Sequence, residues 1–80
     1  VQAHVCGSPV STAAALHLET AISNFQIHEL HVVGLQDYNR RLCNEDNLPV
    51  NGRFHVPETP GLGVTLNDGF LKTQECVTVK

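Results

Sequence analysis

The sequence predicts an α/β fold, on three observations: a short alternating segment opens the chain, a helical stripe of small apolar residues follows, and a second alternating segment completes the series by about residue 33. Strand, helix and strand within that span are the size of a βαβ unit. With 41% hydrophobic and 16% charged residues, the composition favours a folded domain over a disordered chain.

Residues 1–6, VQAHVC, alternate and suit a short strand. GSPVS then supplies a turn and a helix start, with Ser8 suited to the N-cap and Pro9 to the first helical position. The run VSTAAALHLETAIS predicts the main helix, with Val10, Ala13, Ala14, His17, Leu18 and Ala21 as its apolar stripe. Ser23-Asn24 stops it, and FQIHELHVV, Phe25 to Val33, predicts the second strand. Residues 35–52 are polar, rich in Asn and Asp, and predict mostly loop. Asn51-Gly52 marks a turn before a short strand RFHVP, and GVTL suits another. NDGFLKTQ predicts one frayed helical turn, and CVTVK an extended end. The organisation expected is therefore a strand-helix-strand part, 1–34, and an irregular tail, 35–80. Within the tail, Pro57 and Pro60 fix φ while Gly61 and Gly63 admit positive φ, so the PGLG segment is built for one backbone path.

The net charge of −3 offers no footprint for nucleic acid or an anionic membrane surface. No apolar run approaches the roughly 20 residues of a membrane helix. Three cysteines are an odd count without a close-spaced framework, which favours reduced thiols and a cytoplasmic location. Two parallel strands under one helix leave much of a sheet uncovered. Together with the absence of methionine, that leads us to expect a piece of a longer protein. The competing expectation is a non-catalytic small α/β module that oligomerises through its exposed strand faces.

AHVCGSPVSTAAALHLETAISNFQIHEL followed by NGRFHVPETPGLGVTLND resembles the C-terminal end of the enolase superfamily, in its mandelate racemase and muconate lactonizing branch, and especially the sugar-acid dehydratases. The resemblance implies the C-terminal portion of a (β/α) barrel, its last strand-helix-strand units, plus a tail that returns to the capping domain. It implies a lyase: proton abstraction α to a carboxylate, with elimination of the β-hydroxyl as water. Within the branch a racemase, epimerase or cycloisomerase is the alternative. The implied partner is a small-molecule sugar acid, the implied assembly a homo-oligomer, and the implied cofactor Mg2+, with ligands that lie outside these 80 residues. Alone, the chain is expected to be inactive.

His4 matches the family histidine that ends the seventh strand, and Glu29 the carboxylate that ends the eighth. His4 is the candidate general acid/base, because imidazole both gives and takes protons near neutrality. Glu29 is the candidate for hydrogen bonding on the substrate carboxylate side. Their plain readings are a surface histidine and a solvated carboxylate. His17 reads as a packed, hydrogen-bonded histidine, and Cys6 as a small buried hydrophobe. His28 and His31, taken with His4 and Cys6, match no standard zinc spacing, and Ser8 and Ser11 are explained by capping. The PGLG segment reads as docking on the capping domain, against the plainer reading of a turn.

Overall fold

In a computed structural model, the structure describes residues 1–31 and 35–79. β1 (Gln2–Val5) leads into α1 (Pro9–Ala21) and returns as β2 (Ile27–Leu30), which pairs parallel with β1. The pairing sets Gln2 against Ile27, Ala3 against His28, His4 against Glu29 and Val5 against Leu30. The second strand is shorter than the alternation predicts. It ends at Leu30, and the expected continuation through Val32 and Val33 lies outside the described residues, as does the boundary at residue 34.

α1 starts as its sequence dictates, with Pro9 in the first turn and Ser8 extended at the N-cap. The Ser8 hydroxyl makes no cap hydrogen bond, however, so Ser8 contributes backbone geometry and its carbonyl, which accepts from Thr12 N at 3.1 Å. The buried face is not the expected stripe. Thr12, Ala13, Leu16 and Glu19 are buried, whereas Ala14 and Ala21 are exposed and Leu18 is 56% exposed. The inner face includes a carboxylate because that charge has a partner. Glu19 Oε1 accepts from His28 Nδ1 of β2 at 2.7 Å, with both side chains only 4% exposed. Such a pair persists in low dielectric only when hydrogen-bonded, and removing one partner of a buried pair typically costs about 3–5 kcal/mol.

The tail folds on itself and back onto this unit. A short helix, α2 (Asp37–Arg40), occupies part of the expected loop. Cys43 and Leu66 form an isolated antiparallel bridge, flanked by Asn44 N donating to Thr65 O at 2.9 Å and Asn67 N to Leu42 O at 2.7 Å. Val50 and Arg53 exchange backbone hydrogen bonds of 2.8 and 3.0 Å around Asn51 and Gly52. Both turn residues have positive φ, 53° and 73°, the signature of a two-residue hairpin turn. The strands expected at RFHVP and GVTL reduce to these bridges. α3 (Asp68–Leu71) is the expected single turn, capped by Asn67 Oδ1, which accepts from Phe70 N at 3.2 Å.

Contacts among the described residues tie the tail to the strand-helix-strand unit, and one of them is Asn47 Nδ2 donating to Pro9 O at 3.3 Å. Phe54 packs edge-on to the His28 ring, centroids 4.7 Å apart. His17 Nε2 donates to Leu62 O at 3.1 Å, so His17 is the half-buried, hydrogen-bonded histidine expected. The PGLG segment is thereby anchored to α1 within this chain. The buried hydrophobic core comprises Ala13, Leu16 and Cys43 among the described residues. Phe54, Leu62 and Phe70 all stay outside it, although Phe54 has His28 and Phe70 lies under the Arg41 guanidinium at 4.7 Å.

Candidate active site

The register places the two candidate residues. Side chains alternate across a strand, and α1 covers the face carrying Ala3 and His28. Gln2, His4, Ile27 and Glu29 therefore project from the opposite, open face. His4 and Glu29 sit directly across from each other, one residue before the C-terminal ends of their strands. His4 Nδ1 is 3.5 Å from Glu29 Oε1, and the side chains are 65% and 42% exposed. The other carboxylate oxygen of Glu29 accepts from Gln2 Nε2 at 2.9 Å. On the far side of the imidazole, His4 Nε2 meets Cys6 Sγ at 2.9 Å.

The open face thus carries a continuous row, Gln2–Glu29–His4–Cys6. Gln2 was not foreseen. Its signal is the position two residues before His4 on the same strand face, which acquires meaning only once the partner strand and register are known. Cys6 corrects its sequence reading, since it is exposed and the buried cysteine is Cys43. Burial, aided by the nearby Glu45 charge, pushes the Cys43 thiol up. The histidines do not converge: His28 points into the α1 interface while His4 faces out, because neighbouring strand positions take opposite faces. Among the described residues, no group of three or more His, Cys, Asp and Glu side chains is placed to hold a metal ion.

Parallel strands joined by a crossover helix define a β/α unit, and the candidate residues His4 and Glu29 lie near the C-terminal ends of its strands, where such folds keep their sites. The chain belongs to the enolase superfamily: residues 1–70 match the family described as enolase C-terminal domain-like. It is similar to the D-xylonate dehydratase of Haloferax volcanii, 39% identical over 67 residues that make up 84% of this chain and 16% of that protein. It is also similar to the D-gluconate/D-galactonate dehydratase of Picrophilus torridus, 32% identical over 69 residues, 86% of this chain and 17% of that protein. A crystal structure of a member of the enolase superfamily from Salmonella Typhimurium superposes with a TM-score of 0.86 at 52% identity, covering 100% of this chain and 20% of that one. The chain spans about a sixth of the length of the curated relatives it matches. Among the described residues, no helix is long and apolar enough to cross a membrane.

Proposed function

We propose that this segment supplies two active-site residues to an acid-sugar dehydratase, in which it forms the closing strand-helix-strand part of a (β/α) barrel. The single observation that carries the reading is the in-register pair His4 and Glu29, 3.5 Å apart at the strand ends on the face that α1 leaves open. The substrate is a sugar acid bearing hydroxyls on the α and β carbons. A base takes the α proton, and the β-hydroxyl leaves with a proton from the His4 imidazolium as water. The resulting enol tautomerises to a 2-keto-3-deoxy acid. Glu29, held by Gln2, flanks His4 and positions its imidazole ring toward the reacting carbons.

Magnesium, which the resemblance implies, supplies Lewis-acid stabilisation of the enolate charge. The residues here do not fit it. Mg2+ favours octahedral oxygen ligation, whereas this face offers one carboxylate beside an imidazole and a thiol. Its ligands belong, in this proposal, to the part of the relatives' length that this chain does not span. The α-proton base belongs there too if His4 serves as the acid.

The test is turnover by the whole protein on a panel of sugar acids with added magnesium, following both 2-keto-3-deoxy acid formation and α-proton exchange in heavy water. Dehydration that falls by 10²–10⁴-fold in His4→Asn, the usual contribution of a general acid or base, with the melting temperature kept, is the expected result. Proton exchange or isomerisation without loss of water would replace the dehydratase by a racemase or epimerase. Dehydration undiminished in His4→Asn would remove His4 from the mechanism.

A further inference from the structure

The row on the open face fixes the place of a proton as well as a set of side chains. Gln2 pairs with Ile27, so Glu29 lies diagonally ahead of it on the same face. The Gln2 amide Nε2 donates to Glu29 Oε2 at 2.9 Å. An ionised carboxylate only accepts, so the amide nitrogen must be the end of Gln2 that faces it. With Oε2 held in this way, Oε1 is the oxygen turned to His4, 3.5 Å from Nδ1. On the other side of the ring, Nε2 meets Cys6 Sγ at 2.9 Å. One placement of the proton on a neutral His4 suits both neighbours. Nδ1–H then points at the acceptor-only carboxylate, and Nε2 receives the weak S–H donor of Cys6. The reverse tautomer would set the lone pair of Nδ1 against those of Oε1. The Gln2, Glu29 and His4 contacts lie within one strand pair and need no access from solvent.

We infer that Gln2 is a positioning residue for His4: by holding Glu29 Oε2 it keeps a proton on His4 Nδ1 and leaves Nε2 as the nitrogen that exchanges protons with the substrate. In the dehydration, the imidazolium gives up its Nε2 proton. The bond from the β carbon to the hydroxyl oxygen breaks with its electron pair on oxygen, and that oxygen takes the proton and leaves as water. The Nδ1 proton stays where it is, held toward Glu29. A thiol is a weak partner, so a substrate hydroxyl can take the place of Cys6 at Nε2. The delivery of the proton to a departing hydroxyl rests on the dehydratase reading, whereas the place of the proton on Nδ1 does not.

Two substitutions in the whole protein test this. Gln2→Met keeps an unbranched chain of similar length and removes the donor, and Gln2→Lys keeps a donor. Nitrogen NMR of protein labelled in its histidine rings reports the tautomer of the neutral ring, with the His4 signals assigned by their loss in His4→Asn. Nδ1–H is expected as the main neutral form in the wild type and in Gln2→Lys. Gln2→Met should move it toward Nε2–H, the form that free histidine prefers. Dehydration should fall about tenfold in Gln2→Met, the order of one hydrogen bond to a charged group, through kcat rather than KM and with the melting temperature kept. Gln2→Lys should recover most of that loss. In a Glu29→Ala background Gln2→Met should change neither readout, because its effect passes through Glu29. A wild-type His4 mainly in the Nε2–H form, a tautomer unmoved by Gln2→Met, a Gln2→Lys variant that behaves like Gln2→Met, or an effect that survives Glu29→Ala overturns the inference. A tautomer shift in a protein that dehydrates no sugar acid upholds the role of Gln2 in placing the proton and overturns the dehydratase reading instead.

Discussion

Gly63 should tolerate no side chain, and the cost can be worked from its surroundings. Its φ is +78°, in the region where a Cβ meets the following carbonyl, and adopting it costs an L-residue roughly 1–2 kcal/mol. A Cβ built there would also lie 2.4 Å from Pro57 Cβ and 2.8 Å from Pro57 Cγ. The proline ring cannot rotate aside, so the backbone must move, and overpacking of this kind adds about 1–3 kcal/mol. Gly63→Ala should therefore destabilise by roughly 2–5 kcal/mol. Gly61 is the matched comparison, with φ of +71° and nothing within 4 Å of its would-be Cβ. Gly61→Ala should cost only the conformational part, roughly 1–2 kcal/mol. Urea unfolding of the whole protein gives both values from the midpoints, provided the slopes match. A shift in Gly63→Ala no larger than in Gly61→Ala would refute the reasoning, because it would mean that Pro57 does not wall in Gly63 as described.

Three further outcomes are expected. Glu19→Ala leaves His28 buried without its carboxylate and should lower stability by about 3–5 kcal/mol, read by thermal or urea unfolding; a loss under about 1 kcal/mol would show that water replaces the partner. The Glu45 carboxyl is held below its usual value chiefly by the Thr65 N–H, then by the Thr65 hydroxyl, at 2.6 and 2.8 Å. A depressed carboxylate stabilises above its unfolded value and loses that contribution as pH falls through the folded one, so the protection of the Thr65 amide against exchange, relative to its intrinsic rate, should fall below about pH 4.5, and Glu45→Gln should remove that acid-side change; unaltered acid behaviour in the variant would exclude the contact. The isolated 80-residue chain should show no sugar-acid turnover with magnesium and no sharp monomeric unfolding transition, because both strands are open edges and its buried hydrophobic core is so small; sedimentation and calorimetry check this, and a cooperative active monomer would contradict it.

The first part of the fold was legible because each element announces itself over several residues. The Gly-Ser-Pro start of α1 and the alternation of both strands rest on local backbone preferences, and these appear where expected. The helix's inner face was misread because hydropathy scores Glu19 as a solvated charge. Its partner, His28, lies across a turn and on another element, and only the folded packing brings the two together. α2 escaped notice because a helix of four residues is too short to show a period. In the tail, Arg53 and Leu66 have strand-like neighbours, but pairing extends to single bridges because the adjoining prolines and glycines interrupt it. At the site, the family resemblance pointed to His4 and Glu29. Gln2 required the register, which no run of residues in one strand encodes. The exposure of Cys6 depends on the face left uncovered beyond α1.

The direct opposition of His4 and Glu29 also sets which insertions and deletions this segment can survive. The crossover can change length in the turns flanking α1 and still return β2 to the same alignment, provided Glu19 keeps its place over His28. One residue added between Ile27 and His28 is different in kind. It would turn Glu29 toward α1, setting its carboxylate beside that of Glu19, and swing the His28 imidazole into the place opposite His4. Length variation among descendants of this gene should accordingly accumulate in the turns around the helix, while the four-residue strands keep their count.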